Sequence, residues 1–106
     1  MTTWLEVASE GALAPGDRIL VECDAGNILV LNYEGRYYAI EDLCSHDGAD
    51  LDGAELEGDE IVCPRHGAHF CIRNGKAMSP PAFEDIETFP VRVEAGRIQV
   101  WDHRLD

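Results

Sequence analysis

Two short stretches hold the residues best suited to unusual chemistry, 44-CSH-46 and 63-CPRH-66. Each joins a cysteine to a histidine, Cys44 with His46 and Cys63 with His66. Thiolate and imidazole both bind borderline and soft metals, and spacings this short let one tight loop aim both side chains at one site. A glycine follows each pair, Gly48 and Gly67, where backbone must turn or approach closely. Pro64 stiffens the second loop. The donor set is two thiolates and two imidazoles, contributed symmetrically by two loops.

Two metal chemistries suit that set. A tetrahedral Cys₂His₂ zinc site is acceptable, although common zinc spacings put Cys with Cys and His with His. A mixed arm suits a two-iron cluster that both arms straddle, one iron taking both cysteines and the other both histidines. All-cysteine clusters do not fit, because Cys44, Cys63 and Cys71 match neither C-x₄-C-x₂-C nor C-x₂-C-x₂-C. Cys–His nucleophilic catalysis would leave the second pair unexplained. His69 and Cys71 form a decoy, reading as a packed thiol beside a partly exposed imidazole on one face of a strand. Cys23 reads as a small core hydrophobe and His103 as a solvated tail residue. A Cys23–Cys71 disulfide is disfavoured by a reducing compartment.

The elements that must position these loops are strands. Period-two alternation puts Ile19, Val21 and Cys23 on one face of Arg18–Asp24, and 25-AG-26 reads as a turn into the apolar run Asn27–Tyr33. Glu34-Gly35 then turns into Arg36–Ile40, giving a three-stranded meander. Near the far end, Thr88–Val93 and Arg97–Trp101 flank 94-EAG-96 as a hairpin, with Val91 and Val93 facing Ile98 and Val100. No segment carries sustained helical periodicity, and Leu51–Leu56 predicts a turn or a short helix at most. No internal repeat is evident. The expected architecture is all-β, a small barrel or sandwich carrying an inserted loop-rich lobe over residues 42–82.

Length and charge narrow the function. A chain of 106 residues is one domain on length alone, so the unit is expected to span 1–106. With 21 acidic residues against 8 basic, the net charge of −13 repels phosphate backbones and anionic lipid. Nucleic-acid and membrane-surface roles are therefore not expected. Asp47, Asp50, Asp52, Glu55, Glu57, Asp59 and Glu60 crowd the stretch between the arms, as a docking face for a basic partner or a solvated loop. The N-terminus lacks a basic region followed by an apolar one, and no apolar run approaches the ~20 residues of a membrane span. A cytoplasmic location is expected.

The pattern C-x-H-x₁₆-C-x₂-H resembles the ligand signature of Rieske [2Fe–2S] proteins. More narrowly, the chain is similar to the small bacterial Rieske ferredoxins that feed electrons to ring-hydroxylating oxygenases. The likeness covers nearly the whole chain and is strongest in 58-GDEIVCPRHGAHFCIRNGKAMSPPA-82. It implies a Rieske-type antiparallel fold with one [2Fe–2S] cluster per chain. Cys44 and Cys63 would hold the buried iron, and His46 and His66 the outer one. It further implies an electron carrier rather than an enzyme, loaded by an NAD(P)H-dependent flavoprotein reductase and discharged to a terminal oxygenase, both docking near His46 and His66. Respiratory Rieske proteins differ at four positions. They carry loop cysteines where this chain has Ala49 and Arg65, and Ser and Tyr hydroxyls where it has Ala68 and Phe70. Two rival readings are a Rieske-like small subunit of a nitrite-reductase-type complex, and a zinc-stabilised binding module.

Overall fold

The computed structural model describes residues 3–45 and 48–105. In chain order the strands are β1 (Trp4–Ser9), β2 (Arg18–Val21), β3 (Ile28–Tyr33), β4 (Arg36–Glu41), β5 (Glu55–Glu57), β6 (Glu60–Val62), β7 (His69–Cys71), β8 (Thr88–Phe89), β9 (Val91–Glu94) and β10 (Arg97–Trp101). They form three antiparallel sheets, ordered β1-β10-β9, β2-β3-β4-β8 and β5-β6-β7. The helical elements among the described residues are two short 3₁₀ turns, Glu10–Ala12 and His103–Leu105. No helix among them is long and apolar enough to cross a membrane.

The aliphatic run of β3 has a structural reason. Ile28, Leu29, Val30 and Leu31 are all fully buried, because this central strand is covered on both faces. Ile28 and Val30 enter one core with Ala39, Phe89, Ile98 and Val100. Leu29 and Leu31 enter a second with Ile40, Leu51, Ile61, Phe70, Ile72 and Ile86. The second core therefore fastens the sheet β5-β6-β7 and its loops to the base. Two hairpins turn through X-Gly pairs with both residues at positive φ, Glu34 (52°) with Gly35 (85°) and Ala95 (51°) with Gly96 (76°). That is the geometry whose twist matches the flanking strands.

The meander β2-β3-β4 and the pairs Val91↔Val100 and Val93↔Ile98 match expectation. Arg18–Asp24 forms a strand only to Val21, yet Ile19, Val21 and Cys23 do pack against one core. The expected single strand Thr88–Val93 is instead broken at Pro90, which has no N–H to donate to a ladder. Its first half, β8, pairs with β4, and its second half, β9, pairs with β10. Strand β1 was not foreseen. A bulge between Glu6 and Ala8 interrupts its alternation after Leu5 and Val7, leaving too short a pattern to read. Leu51–Leu56 contains a turn followed by the start of β5, with no helix.

Candidate metal centre

Both Cys–His arms are built from the same hydrogen bonds. In the first, Cys44 N–H donates to Ala49 O (2.8 Å) and Gly48 N–H donates to Cys44 O (2.8 Å). In the second, Cys63 N–H donates to Ala68 O (2.8 Å) and Gly67 N–H donates to Cys63 O (3.0 Å). Gly48 and Gly67 lie at φ 77° and 74°, the left-handed region that favours glycine. The residues flanking the first pair within 42–51 thus have counterparts in 61–70, a local repeat that sequence inspection missed. Little is shared between the two beyond the Cys, the Gly and the following Ala.

The arms sort their donors by depth. Cys44 and Cys63 are each 1% exposed, whereas His66 is exposed. His46 lies outside the described residues. Two inward thiols and an outward imidazole suit a group with one buried and one solvent-facing metal. Among the described residues no three His, Cys, Asp or Glu side chains gather around a point that a single ion could fill.

A third segment, 77–86, bridges the arms. Ser45 Oγ donates to Glu84 O in the first arm's loop. On the hairpin carrying the second arm, Met78 N–H donates to His69 O (2.8 Å) and His69 N–H donates to Ser79 Oγ (3.2 Å). Below the first arm, buried Asp42 accepts two backbone hydrogen bonds through Oδ1, from Leu51 (2.7 Å) and Asp52 (2.6 Å). Burial pushes the Asp42 carboxyl above its usual range, and these two bonds oppose that rise. Neither Ser45 nor Asp42 was picked out from the sequence, since each acts through backbone groups brought near by folding. Leu43, Met78 and Phe83, in the segments that carry or bridge the arms, are exposed apolar side chains.

The remaining candidates separate. Cys71 is buried and His69 half-buried on β7, as expected of the decoy pair. His69 Nδ1 lies 2.9 Å from Glu60 Oε1 and its Nε2 3.7 Å from Glu57 Oε2. Arg73 pairs with Asp59 at 3.1 Å and sits over the Tyr33 and Tyr38 rings. Glu57, Asp59 and Glu60 of the acidic stretch are therefore engaged within the chain, while Asp50, Asp52 and Glu55 are exposed; Asp47 lies outside the described residues. Cys23 is half-buried, and burial, then the Asp102 charge, raises its thiol pKa. None of the four cysteines is in a disulfide. His103 is not a solvated tail residue. Its Nε2 meets Thr88 O at 3.0 Å and its ring stacks on Phe89 at 5.1 Å. The segment is tied down by buried Asp102, which Arg104 bonds at 2.8 Å while also donating to Gly26 O. The Arg104 hydrogen bond holds the Asp102 carboxyl below its usual range.

Comparison with known proteins follows the same lines. The family model of the Rieske [2Fe–2S] domain matches residues 3–90. The ferredoxin component of biphenyl 2,3-dioxygenase from Rhodococcus jostii (strain RHA1) is 39% identical over 95 residues, 90% of this chain and 89% of that one. A chain in the solved complex of reduced oxygenase and oxidized ferredoxin of carbazole 1,9a-dioxygenase superposes with TM-score 0.88 at 33% identity, over 92% of each chain. The ferredoxin of carbazole 1,9a-dioxygenase from Nocardioides aromaticivorans IC177 gives 0.85 at 31% identity, over 92% of this chain and 96% of that one. With paired Cys–His arms, a three-sheet antiparallel fold and a family match over most of its length, the chain belongs to the Rieske [2Fe–2S] domain family.

Proposed function

We propose that this chain, as one Rieske domain over residues 1–106 with its cluster-binding lobe at about 42–82, is the ferredoxin component of a multicomponent oxygenase system. In this reading an NAD(P)H-dependent flavoprotein reductase loads it and a terminal oxygenase discharges it. Cys44 and Cys63 would hold one iron of the cluster, and His46 and His66 the other. When bound, a [2Fe–2S] cluster takes up and returns one electron, at a potential raised by imidazole ligation. The chain's own part is to fix that group and expose one edge of it. The arms bury the thiols away from water, and the glycine turns and cross-loop hydrogen bonds restrain them. His66 is left at the surface, where a partner can approach. Exposed Leu43, Met78 and Phe83 offer apolar contact area near the arms, and Asp50, Asp52 and Glu55 offer negative charge to a basic partner.

The observation that carries the reading is the matched pair of arms, each with a buried cysteine. The test is compositional and spectroscopic. Protein isolated anaerobically from iron-replete cells is expected to hold two iron and two acid-labile sulfide per chain. His66→Ala is expected to abolish the normal cluster and its brown-red colour. Colourless protein with stoichiometric zinc would overturn the reading in favour of a zinc-stabilised module.

A further inference from the structure

The two arms share their hydrogen bonds but not what holds them closed. The second arm caps the β6–β7 hairpin, so beneath Cys63 the strands continue to pair as Val62↔His69 and Ile61↔Phe70. Among the described residues the first arm has no such hairpin, since β4 ends at Glu41 and the next strand begins at Glu55. The counterpart of the Ile61–Phe70 pair is Asp42 with Leu51. There a side chain stands where a strand partner would be. Asp42 Oδ1 accepts from the backbone N–H of Leu51 at 2.7 Å and of Asp52 at 2.6 Å. Asp42 N–H donates to Asn27 O at 2.9 Å, extending the pairing of β4 with its neighbour β3. Its carboxylate thus links the base to the returning end of the loop.

Placing an acid here has a physical cost. Asp42 is 7% exposed and Leu51 fully buried, and burying a carboxylate is unfavourable unless it is hydrogen-bonded. The second arm fills the matching place with Ile61, which needs no partner because the hairpin supplies the bonds. We propose that Asp42 is the positioning residue of the first arm. Its carboxylate takes the place of the missing hairpin and fixes the described part of the loop that carries Cys44 relative to the core. The inference rests on the proposed function's reading of that arm as a ligand loop.

The test compares Asp42→Ala and Asp42→Asn with wild type in the full holoprotein. Asn keeps an acceptor oxygen in the same place. In Asp42→Ala, hydrogen exchange across residues 51–52, read by mass spectrometry, should quicken by at least about tenfold, the loss expected for bonds to a charged acceptor. Exchange across 69–71 should be unchanged. The g-values of the reduced cluster should shift, and iron loss to a chelator should quicken. Asp42→Asn should return exchange, g-values and iron retention toward wild type, which a general loss of stability would not do. Wild-type exchange and g-values in Asp42→Ala would overturn the inference. So would an Asp42→Asn protein that keeps its β-sheet circular dichroism but is as damaged as Asp42→Ala. Should Asp42→Ala fail to accumulate, the Asn variant alone decides on the same criteria. A wild type without a Rieske signal overturns the ligand reading and this inference with it. A wild type with the signal beside an unaltered Asp42→Ala overturns this inference alone.

Discussion

Gly75 offers the sharpest test of how segment 77–86 is held against the lobe. It sits in the turn after β7 at φ 75°, its N–H donating to Cys71 O (2.8 Å) and its O accepting from Ile86 N–H (2.8 Å). A Cβ at this position would fall 2.0 Å from Ile86 O and 3.1 Å from Ile86 C and Thr88 Cγ2. The closest atom is a backbone carbonyl oxygen, which cannot rotate aside as a flexible side chain could. Gly75→Ala therefore adds two costs. A left-handed residue with a Cβ costs about 1–2 kcal/mol, and the overpacking costs about 1–3 kcal/mol unless 86–88 moves away from the turn at Gly75. The sum, roughly 2–5 kcal/mol, should lower Tm by about 10 °C or more in a domain of this size. Gly58→Ala is the control, because φ is 61° but nothing lies within 4 Å. It meets the backbone cost alone. Thermal melts of the two holoproteins by circular dichroism decide the matter. A Gly75→Ala melt within about 3 °C of Gly58→Ala would refute the claim that contact with Ile86 adds a cost of its own.

Two further outcomes concern the redox role. The midpoint potential should lie in the lower part of the Rieske range, about −150 mV rather than +300 mV. Ala68 and Phe70, both fully buried, put a methyl and a phenyl where respiratory Rieske proteins place hydroxyl donors. Voltammetry giving a midpoint above roughly +100 mV would reverse that assignment and the pathway with it. Reduction by a basic partner should slow as salt rises past ~0.1 M. Lysine at Asp50, Asp52 and Glu55 should lower the association rate more than it alters cluster spectra; a rate indifferent to both would return these residues to the role of solvated loop.

The sequence made legible whatever depends on local pattern. The Cys–His spacing, the glycines after each pair, the meander and the register of the terminal hairpin all follow from residues close together in the chain. What stayed hidden depends on groups that folding brings together. Asp42 was one acid among many until Leu51 and Asp52 came within bonding distance. His103 looked like a tail residue because nothing nearby in sequence announces Thr88 or Phe89 as partners. The pairing of His69 with Glu60 was closer to being readable. Once β6 and β7 are recognised as a hairpin, Glu60 and His69 fall diagonally on one face, within reach of long side chains. Pro90 also carried a usable signal, since a proline in mid-strand marks a break in the ladder.

A carrier that accepts and returns an electron at one place benefits from a site whose protein shell alters little between the two states. The anchors around the arms act in that direction, and they come from three different sources. The hairpin ladder holds the second arm, the Asp42 carboxylate holds the first, and segment 77–86 joins both through Ser45 with Glu84 and His69 with Ser79 and Met78. Each anchor meets the same core, because Ile40, Leu51, Ile61, Phe70 and Ile86 pack in one cluster with Leu29 and Leu31 of β3. Displacing one arm would then disturb close-packed side chains shared with the other. The interior of the lobe is thereby committed to rigidity, and the freedom to suit a partner is left to the exposed rim of Leu43, Met78 and Phe83. On this argument, substitutions at the rim should change which partner is served and how fast, whereas substitutions at the anchors should change the cluster itself.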